Sequence, residues 1–207
     1  MSSSPVPGRD GAAMTKLETE RLVLRPFRTA DAEEFARLSG DWAVASMTSD
    51  IPYPFTATQA LGWLRPVRGE ARFAIELHGQ LIGGAGYYRR PSGAAELGFW
   101  LGRQWWGLGY ATEATRAVVR YGLSNPRLPG YSSAHFIDNP ASARVLQKLG
   151  FEPVGRGQIA CAARGHDVEV ITYWLGRQKA DAAVPQLARE VPRPARWRAW
   201  LDRFGWA

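Results

Sequence analysis

The stretch QWWGLGYA at residues 104–111 lies between a predicted strand, AELGFWL at 95–101, and a predicted helix at 110–123. Its two glycines let the backbone turn tightly, so that successive N–H groups can face one ligand. The helix that follows points the positive end of its dipole at the same place. The stretch therefore predicts a cradle for an anion, with a glycine-rich turn that binds nothing as the alternative.

Two other phosphate-binding motifs do not fit this stretch. A dinucleotide-binding fingerprint needs a third glycine, and Thr112 stands at that position. A P-loop needs a Gly-Lys-Ser/Thr sequence, which does not follow here. The cradle is thus of another kind.

A second informative stretch, NPASARVLQKLGF at 139–151, follows the next predicted strand. Asn139 can cap a helix, Pro140 suits its first turn, and Gly150 can end it. These helix-end preferences explain the three residues without any function. They do not explain why the two stretches occur in this order and at this spacing.

Together the two stretches resemble the GNAT superfamily of acyl-CoA-dependent N-acetyltransferases, most closely its RimJ/RimL branch of ribosomal-protein N-terminal acetyltransferases. The resemblance covers about residues 16–177. It includes the opening strand ETERLVLRPF at 18–27, the strand AELGFWL, and the sequence ATEA at 111–114.

The resemblance implies an α/β (α+β) GNAT fold. In that fold a mixed, mostly antiparallel sheet of about six to seven strands is flanked by about four helices and splayed between its fourth and fifth strands. The hydrophobic pattern agrees, since a strand-rich first half is followed by alternating helices and strands. The predicted strands are 21–27, 72–77, 81–88, 95–101, 132–138, 151–156 and 167–175, and the later helices are 110–123 and 140–149.

The resemblance also implies that acetyl-CoA is the cosubstrate and that no metal takes part. Its diphosphate would lie on the N–H groups of the cradle, its pantetheine arm would run along the end of the 95–101 strand, and nearby cations would meet the outer phosphates. The predicted binding residues are Phe99, Trp100, Leu101, Gln104, Trp106, Gly107, Leu108, Gly109, Tyr110, Ala111, Asn139, Ser142, Arg144 and Lys148.

Acetyl transfer to an amine needs a proton acceptor for the amine, donors for the developing oxyanion and a proton for the departing thiolate. Many family members supply that last proton from a tyrosine, but the matching position here is Leu146. The RimL-like branch uses a serine, which matches Ser142. The resemblance thus implies that Ser142 is the thiol-side donor and that Asn139 anchors the pantetheine or the serine. A first-turn helix cap is the alternative for Ser142.

Glu96, one strand before the cradle, is the first candidate for the base, because burial in a cleft can raise the pKa of a carboxylate. Glu169, His166 or a chain of waters could serve instead, and Glu96 could be a plain surface residue. His135 is interpreted as a strand residue and Cys161 as an incidental thiol. Three histidines and one cysteine, widely spread, show no metal-site spacing.

Length and composition exclude some classes of protein and suggest how many domains the chain has. The chain has 207 residues, of which 45% are hydrophobic and 22% charged, so a disordered chain and a disulfide scaffold are excluded. One domain plus an appendage fits this length. We expect a flexible lead-in at 1–15, an acetyltransferase domain at 16–177, and at 178–207 a linker followed by an amphipathic helix with Trp and Arg residues.

The apolar stripe of that last helix consists of Trp197, Trp200, Leu201 and Phe204. We expect it to dock on its own domain or on a second subunit, which would make a homodimer. A membrane surface or another partner is the alternative.

A net charge of +7 attracts polyanions. The arginines are scattered, however, so nucleic-acid binding is not expected as the main role. No uncharged apolar run approaches the roughly 18 to 20 residues that a membrane span needs. The first residues lack a secretory core, so we expect a cytoplasmic protein.

The sequence therefore predicts an N-acetyltransferase that moves an acetyl group from acetyl-CoA to a primary amine by direct attack in a ternary complex. The acceptor would be a protein N-terminus or a small amine, in a pocket shaped by residues 42–55 and by Tyr87 and Tyr88. A non-catalytic CoA-binding module and a basic ribosome- or nucleic-acid-associated protein are the alternatives.

Overall fold

A mixed sheet of eight strands is the centre of the computed structural model, which describes residues 16–67, 69–90 and 93–188. Its strands lie in the order β1-β2-β3-β4-β5-β6-β8-β7, and neighbours are antiparallel except for the pair β5 and β6. The predicted GNAT fold, with a mixed and mostly antiparallel sheet, is confirmed. The strands are β1 Leu17–Glu18, β2 Val23–Pro26, β3 Glu70–Leu77, β4 Gln80–Arg89, β5 Ala95–Leu101, β6 Gly130–Phe136, β7 Glu152–Cys161 and β8 His166–Gly176.

Six α-helices flank the sheet in the described part of the chain. The short helix α2 begins after Asp41, whose side chain accepts a hydrogen bond from the N–H of Ala43 at 2.9 Å. Helix α3 begins at a capping box, in which Thr56 and Gln59 bond each other's backbone N–H. The helices are α1 Ala32–Ser39, α2 Trp42–Ala45, α3 Ala57–Trp63, α4 Tyr110–Leu123, α5 Pro140–Lys148 and α6 Arg177–Ala188.

The sheet splays between β5 and β6, the fourth and fifth of the predicted strands. Among the described residues, these parallel strands pair only at Ala95 with Tyr131 and at Glu96 with Ser132. Beyond them the hydroxyl of Ser133 still reaches the carbonyl of Leu97 at 2.9 Å. The strands then diverge, so a gap opens beside the last residues of β5.

The core beside this gap is rich in aromatic rings. Phe35 on α1 lies 5.0 to 5.6 Å, between ring centroids, from four other rings. On β6, the buried Tyr131 donates its hydroxyl hydrogen to the carbonyl of Val119 at 2.8 Å, which fixes this strand against α4. The rings around Phe35 are Phe27, Phe55, Trp63 and Trp100. Both sides of the splay are therefore held rigidly.

Helix α6 spans Arg177–Ala188, whereas the sequence predicts a linker from residue 178 onward. The helix is held because Ala180 is buried in the core and Arg177 donates to carbonyls of Leu123 and Asn125. The expected lead-in at 1–15 and the stripe of Trp197, Trp200, Leu201 and Phe204 lie outside the described residues. The domain boundaries remain predictions.

No helix within the described ranges is long and apolar enough to cross a membrane.

A buried ion-pair network joins β2, β3 and the start of α1. The guanidinium of Arg25 contacts both carboxylate oxygens of Asp31, at 2.7 and 2.8 Å, and Glu76 at 3.0 Å. Burial alone would raise the pKa of Asp31, but hydrogen bonds from Arg25 and from the backbone of Arg28 lower it below its ordinary value of 3.8. The network therefore stabilises the fold most where Asp31 is ionised.

We expect Arg25→Met to lower the free energy of unfolding by about 3–5 kcal/mol, because it leaves two carboxylates without their buried partner. Urea denaturation at pH 7 measures the loss. The difference from the unchanged protein shrinks as the pH falls through the lowered pKa of Asp31. Arg37→Met is the control, since this exposed residue pairs with Glu34 at the surface and its replacement costs less than about 1 kcal/mol. Equal losses in both variants would contradict the role of the network.

Candidate functional site

Two cavities open at the splay. The loop cleft, of about 590 Å³, lies between the glycine loop and α5. The strand cavity, of about 530 Å³, lies over β4 and β5 and reaches β6. The two meet at a junction, which we define as the six residues that line both: Met47, Thr48, Phe99, Trp100, Asn139 and Ser142. A ligand in one cavity can therefore touch a ligand in the other.

The glycine loop has the backbone conformation that an anion cradle requires. Gly107 and Gly109 have φ values of 78° and 84°, in the left-handed region that favours glycine. A Cβ at Gly107 would meet nothing within 4 Å, so conformation and not space selects glycine there. The indole N–H of Trp106 donates to the carbonyl of Leu101 at 2.7 Å and ties the loop to β5.

Helix α4 begins directly after this loop, with Gly109 as its N-cap. The N–H of Glu113 donates a hydrogen bond to the carbonyl of Gly109 at 3.1 Å. The N–H groups of Tyr110, Ala111 and Thr112 have no acceptor within the helix, because they belong to its first turn. All three residues line the loop cleft. They therefore offer donors, and the positive end of a helix, to a bound anion.

Arg21 braces the glycine loop from the β1–β2 connection. Its guanidinium contacts Glu113 on α4 at 2.7 Å, donates to the carbonyl of Leu108 at 3.1 Å and lies over the ring of Tyr110. Glu113 also accepts from the hydroxyl of Thr19 at 2.6 Å and from the backbone N–H of Arg21 at 2.8 Å. Burial alone would raise the pKa of Glu113, but these hydrogen bonds lower it.

The remaining wall of the loop cleft suits a long phosphorylated ligand. Arg144 and Lys148 on α5 add two cations opposite the loop. The edge of Phe99–Leu101 that faces away from β4 is not paired with β6, so part of its backbone can bond a ligand. N–H donors, cations and a free strand edge together fit coenzyme A.

Most of the residues predicted to bind acetyl-CoA line this cleft. Gln104 and Leu108 do not line it: Gln104 is exposed in a short 3-10 helix at 103–105, and the carbonyl of Leu108 accepts from Arg21. The predicted residues that line the loop cleft are Phe99, Trp100, Leu101, Trp106, Gly107, Gly109, Tyr110, Ala111, Asn139, Ser142, Arg144 and Lys148.

At the junction, Asn139 caps α5 and holds Ser142. The amide oxygen of Asn139 accepts the backbone N–H of Ser142 at 3.1 Å, which confirms the predicted helix cap. Ser142 is half-buried in the first turn of α5, where both cavities touch it. The arrangement places a hydroxyl, near the positive end of a helix, at the point where two ligands would meet.

Of the candidate bases, the structure places Glu96 in the strand cavity, paired with Arg90. Glu169 and His166 do not line either cavity and are exposed. Glu169 pairs with Arg156 at 2.8 Å instead. Of these three candidates, only Glu96 therefore lines a cavity that reaches the junction.

His135 also lines the strand cavity, although the sequence indicated only a strand residue there. It is buried, and its Nδ1 lies 2.7 Å from the carbonyl of Phe136. Because a carbonyl only accepts, we assign the ring proton to Nδ1, which leaves Nε2 to accept from the hydroxyl of Tyr173 at 3.3 Å. Strand alternation could have placed His135 on the face of Ser133, but nothing in the sequence marked that face as a cavity wall.

Residues 42–55, which the sequence predicted to shape the acceptor pocket, contribute to both cavities. Residues 47–51 line the strand cavity, as do Tyr87 and Tyr88, whereas Trp42 lines the loop cleft. Burial raises the pKa of Tyr87, so its hydroxyl keeps its proton. In the described part of the chain, no group of three or more His, Cys, Asp or Glu side chains could hold a metal ion.

Comparison with known proteins gives one consistent family. A model of an acetyltransferase (GNAT) domain matches residues 21–152. The chain is similar to the uncharacterized N-acetyltransferase YoaA of Bacillus subtilis, with 34% identity over 149 residues that cover 67% of this chain and 84% of YoaA.

Solved structures show a shared fold. One is RimL, a ribosomal L7/L12 alpha-N-protein acetyltransferase in complex with coenzyme A, with a TM-score of 0.65 and 17% identity over 79% of this chain and 100% of that one. Another is spermidine N-acetyltransferase from Vibrio cholerae in complex with CoA and spermine, with a TM-score of 0.67 and 17% identity over 77% of this chain and 98% of that one.

We expect Glu113→Gln to lower the free energy of unfolding by about 1.5–3 kcal/mol at pH 7, because the brace then loses its charged acceptor. The difference in unfolding free energy from the unchanged protein shrinks as the pH falls through the lowered pKa of Glu113, because the carboxylate then becomes protonated. Urea denaturation at pH 7 and at acid pH measures it. Glu152→Gln is the control, since that carboxylate is exposed and pairs with Lys179 at the surface. A loss no larger than in the control would show that the brace does not hold the loop.

Proposed function

The chain belongs to the GNAT family of acetyltransferases, and from this we propose that it transfers an acetyl group from acetyl-CoA to a primary amine while both are bound. One observation carries the proposal. The loop cleft, which fits coenzyme A, meets the strand cavity at Ser142, a hydroxyl in the first turn of α5. A donor in the first cavity and an amine in the second would meet there without a covalent acyl-enzyme.

Acetyl-CoA, when bound, supplies an activated acetyl thioester. For its binding, we propose that the N–H groups of Tyr110, Ala111 and Thr112 hold the diphosphate and that Arg144 and Lys148 meet the outer phosphates. The backbone edge of Phe99–Leu101 would pair with the pantetheine arm. The complexes of RimL and of the spermidine enzyme with coenzyme A support this assignment by fold.

In the transfer itself a C–N bond forms as the thioester C–S bond breaks. We assign to the hydroxyl of Ser142 the hydrogen bond or proton for the departing sulfur, and to Asn139 the positioning of Ser142. Glu96 is proposed to take the proton from the amine, since an ionised carboxylate, held at the wall by Arg90, is the form that accepts one. Nε2 of His135 is the second candidate for that role.

The strand cavity suits a cationic acceptor. Three carboxylates line it, those of Asp50, Glu70 and Glu96, against two arginines that pair with Glu70 and Glu96. We propose a protein N-terminus as the acceptor, in keeping with the RimJ/RimL branch and with the substrate named for RimL. A small amine such as a polyamine is the alternative, in keeping with the spermine complex.

The test is thiol release from acetyl-CoA with a panel of peptides bearing free N-termini and of small polyamines. We expect release with at least one class and acetylated product by mass spectrometry. Calorimetric titration with CoA runs in parallel. Tight CoA binding without release with any amine would favour a non-catalytic module. No CoA binding, together with nucleic-acid binding that falls steeply with salt, would favour the basic nucleic-acid-associated protein.

We expect Ser142→Ala to lower kcat by about a hundredfold or more, because the departing sulfur loses its donor. The Kd of CoA changes by less than about twofold, since the anion cradle is untouched. Steady-state kinetics and calorimetry measure the two effects. Ser124→Ala, at the end of α4 and outside both cavities, is the control. An unchanged kcat would remove Ser142 from the mechanism.

A further inference from the structure

We propose that Arg164, in the turn between β7 and β8, is a positioning residue that sets the width of the junction between the two cavities. The inference rests on the proposed function, because it concerns how the acceptor amine is held against the thioester. Neither the sequence nor the comparisons assign any role to this residue. Its side chain is only 15% exposed, although it lies in a hairpin turn.

The guanidinium of Arg164 joins two segments that are far apart in the chain. Its Nε donates to the carbonyl of Ser46 at 2.7 Å, and its Nη2 lies 3.5 Å from the sulfur of Met47. Its Nη1 pairs with the carboxylate of Asp138 at 2.8 Å. It also lies over the ring of Phe136, 5.2 Å from the centroid.

These contacts meet at the junction from both sides. Met47 and Thr48 line one side of it, and Asn139 and Ser142 line the other. Arg164 holds the first side through Ser46 and Met47, and the second through Asp138, which directly precedes the helix cap Asn139. One rigid, planar group therefore contacts segments on both sides of the junction directly.

The hairpin that carries Arg164 is bonded to both sides of the junction. On the second side, β8 pairs with β6, and the N–H of Ile137 donates to the carbonyl of Glu169 at 2.9 Å. Other bonds hold the hairpin to the first side. The thiol of Cys161 donates to the carbonyl of Thr48 at 3.3 Å, and the N–H of Ala162 donates to the carbonyl of Ser49 at 2.9 Å. The arginine adds a direct side-chain link between residues 46–47 and Asp138. A lysine has one point charge and no fork, so it cannot make these contacts together.

The experiment compares Arg164→Gln and Arg164→Lys with the control Arg156→Gln, an exposed arginine of the adjacent strand that pairs with Glu169. Hydrogen exchange of residues 46–50 is measured by mass spectrometry on the ligand-free full chain. The Kd of CoA, and kcat and KM for the best acceptor in the panel, are then measured. Circular dichroism establishes that each variant is folded.

We expect exchange in 46–50 to be about tenfold faster in Arg164→Gln than in the control. We expect the acceptor kcat/KM to fall by about tenfold to a hundredfold, with KM rising, because a small displacement of bound groups lowers the rate steeply. The Kd of CoA changes less than about twofold. Arg164→Lys does not restore these values, since the fork is lost.

A folded Arg164→Gln with the exchange rate and kinetics of the control overturns the inference, as does full rescue by lysine. If Arg164→Gln does not fold, Asp138→Ala replaces it, because it removes the carboxylate that Arg164 contacts while keeping the arginine. Control-like values there overturn the inference too. Faster exchange in the variant, with no acetyl transfer by the unchanged protein, refutes the proposed function and supports Arg164 as the link across the junction.

Discussion

The divergence of β5 from β6 is the constraint on which the rest of the site depends. Two residue pairs hold the strands together, and after Glu96 no further rung between them is found in the described chain. A strand edge without a partner must bond water or a ligand, so the end of β5 is prepared to receive one. The glycine loop follows that edge directly, which places the anion cradle and the free edge in one cleft.

Several arginines of the described residues bond to groups of the protein itself. The net charge of +7 suggests a polyanion partner, yet several arginines are engaged by the protein itself. Arg25 serves a buried carboxylate pair, Arg21 braces the glycine loop, and Arg164 links the sides of the junction. Arg144 and Lys148, by contrast, face the loop cleft from α5. Position relative to the cavities, and not total charge, separates structural cations from candidate phosphate ligands.

The candidate site was only partly predictable from sequence. The cradle, the cap at Asn139 and the position of Ser142 depend on local spacing, and the structure has the helices and turns that these patterns predict. Glu96 was the first candidate for the base, and Glu169 and His166 were the alternatives. The structure separates them because Glu169 lies on the exposed face of β8, between the buried Val168 and Val170, and His166 is exposed at the start of that strand. His135 was overlooked, since an isolated histidine in a strand carries no sign of the cavity it faces. Residues 178–188 were predicted as part of a linker, because the burial of Ala180 depends on contacts with distant parts of the chain.

The sequence by itself determined the family, the two motifs and the order of the elements from β2 to β8 except the short helix α2. Hydrophobic period, glycine placement and helix caps act over a few residues and can be recognised in the linear chain. Only the tertiary structure decided which side chains meet. Ser46, Asp138 and Arg164 are separated by many residues, and a single guanidinium joins them. Such contacts depend on how the sheet brings remote segments together, and no local pattern encodes that geometry.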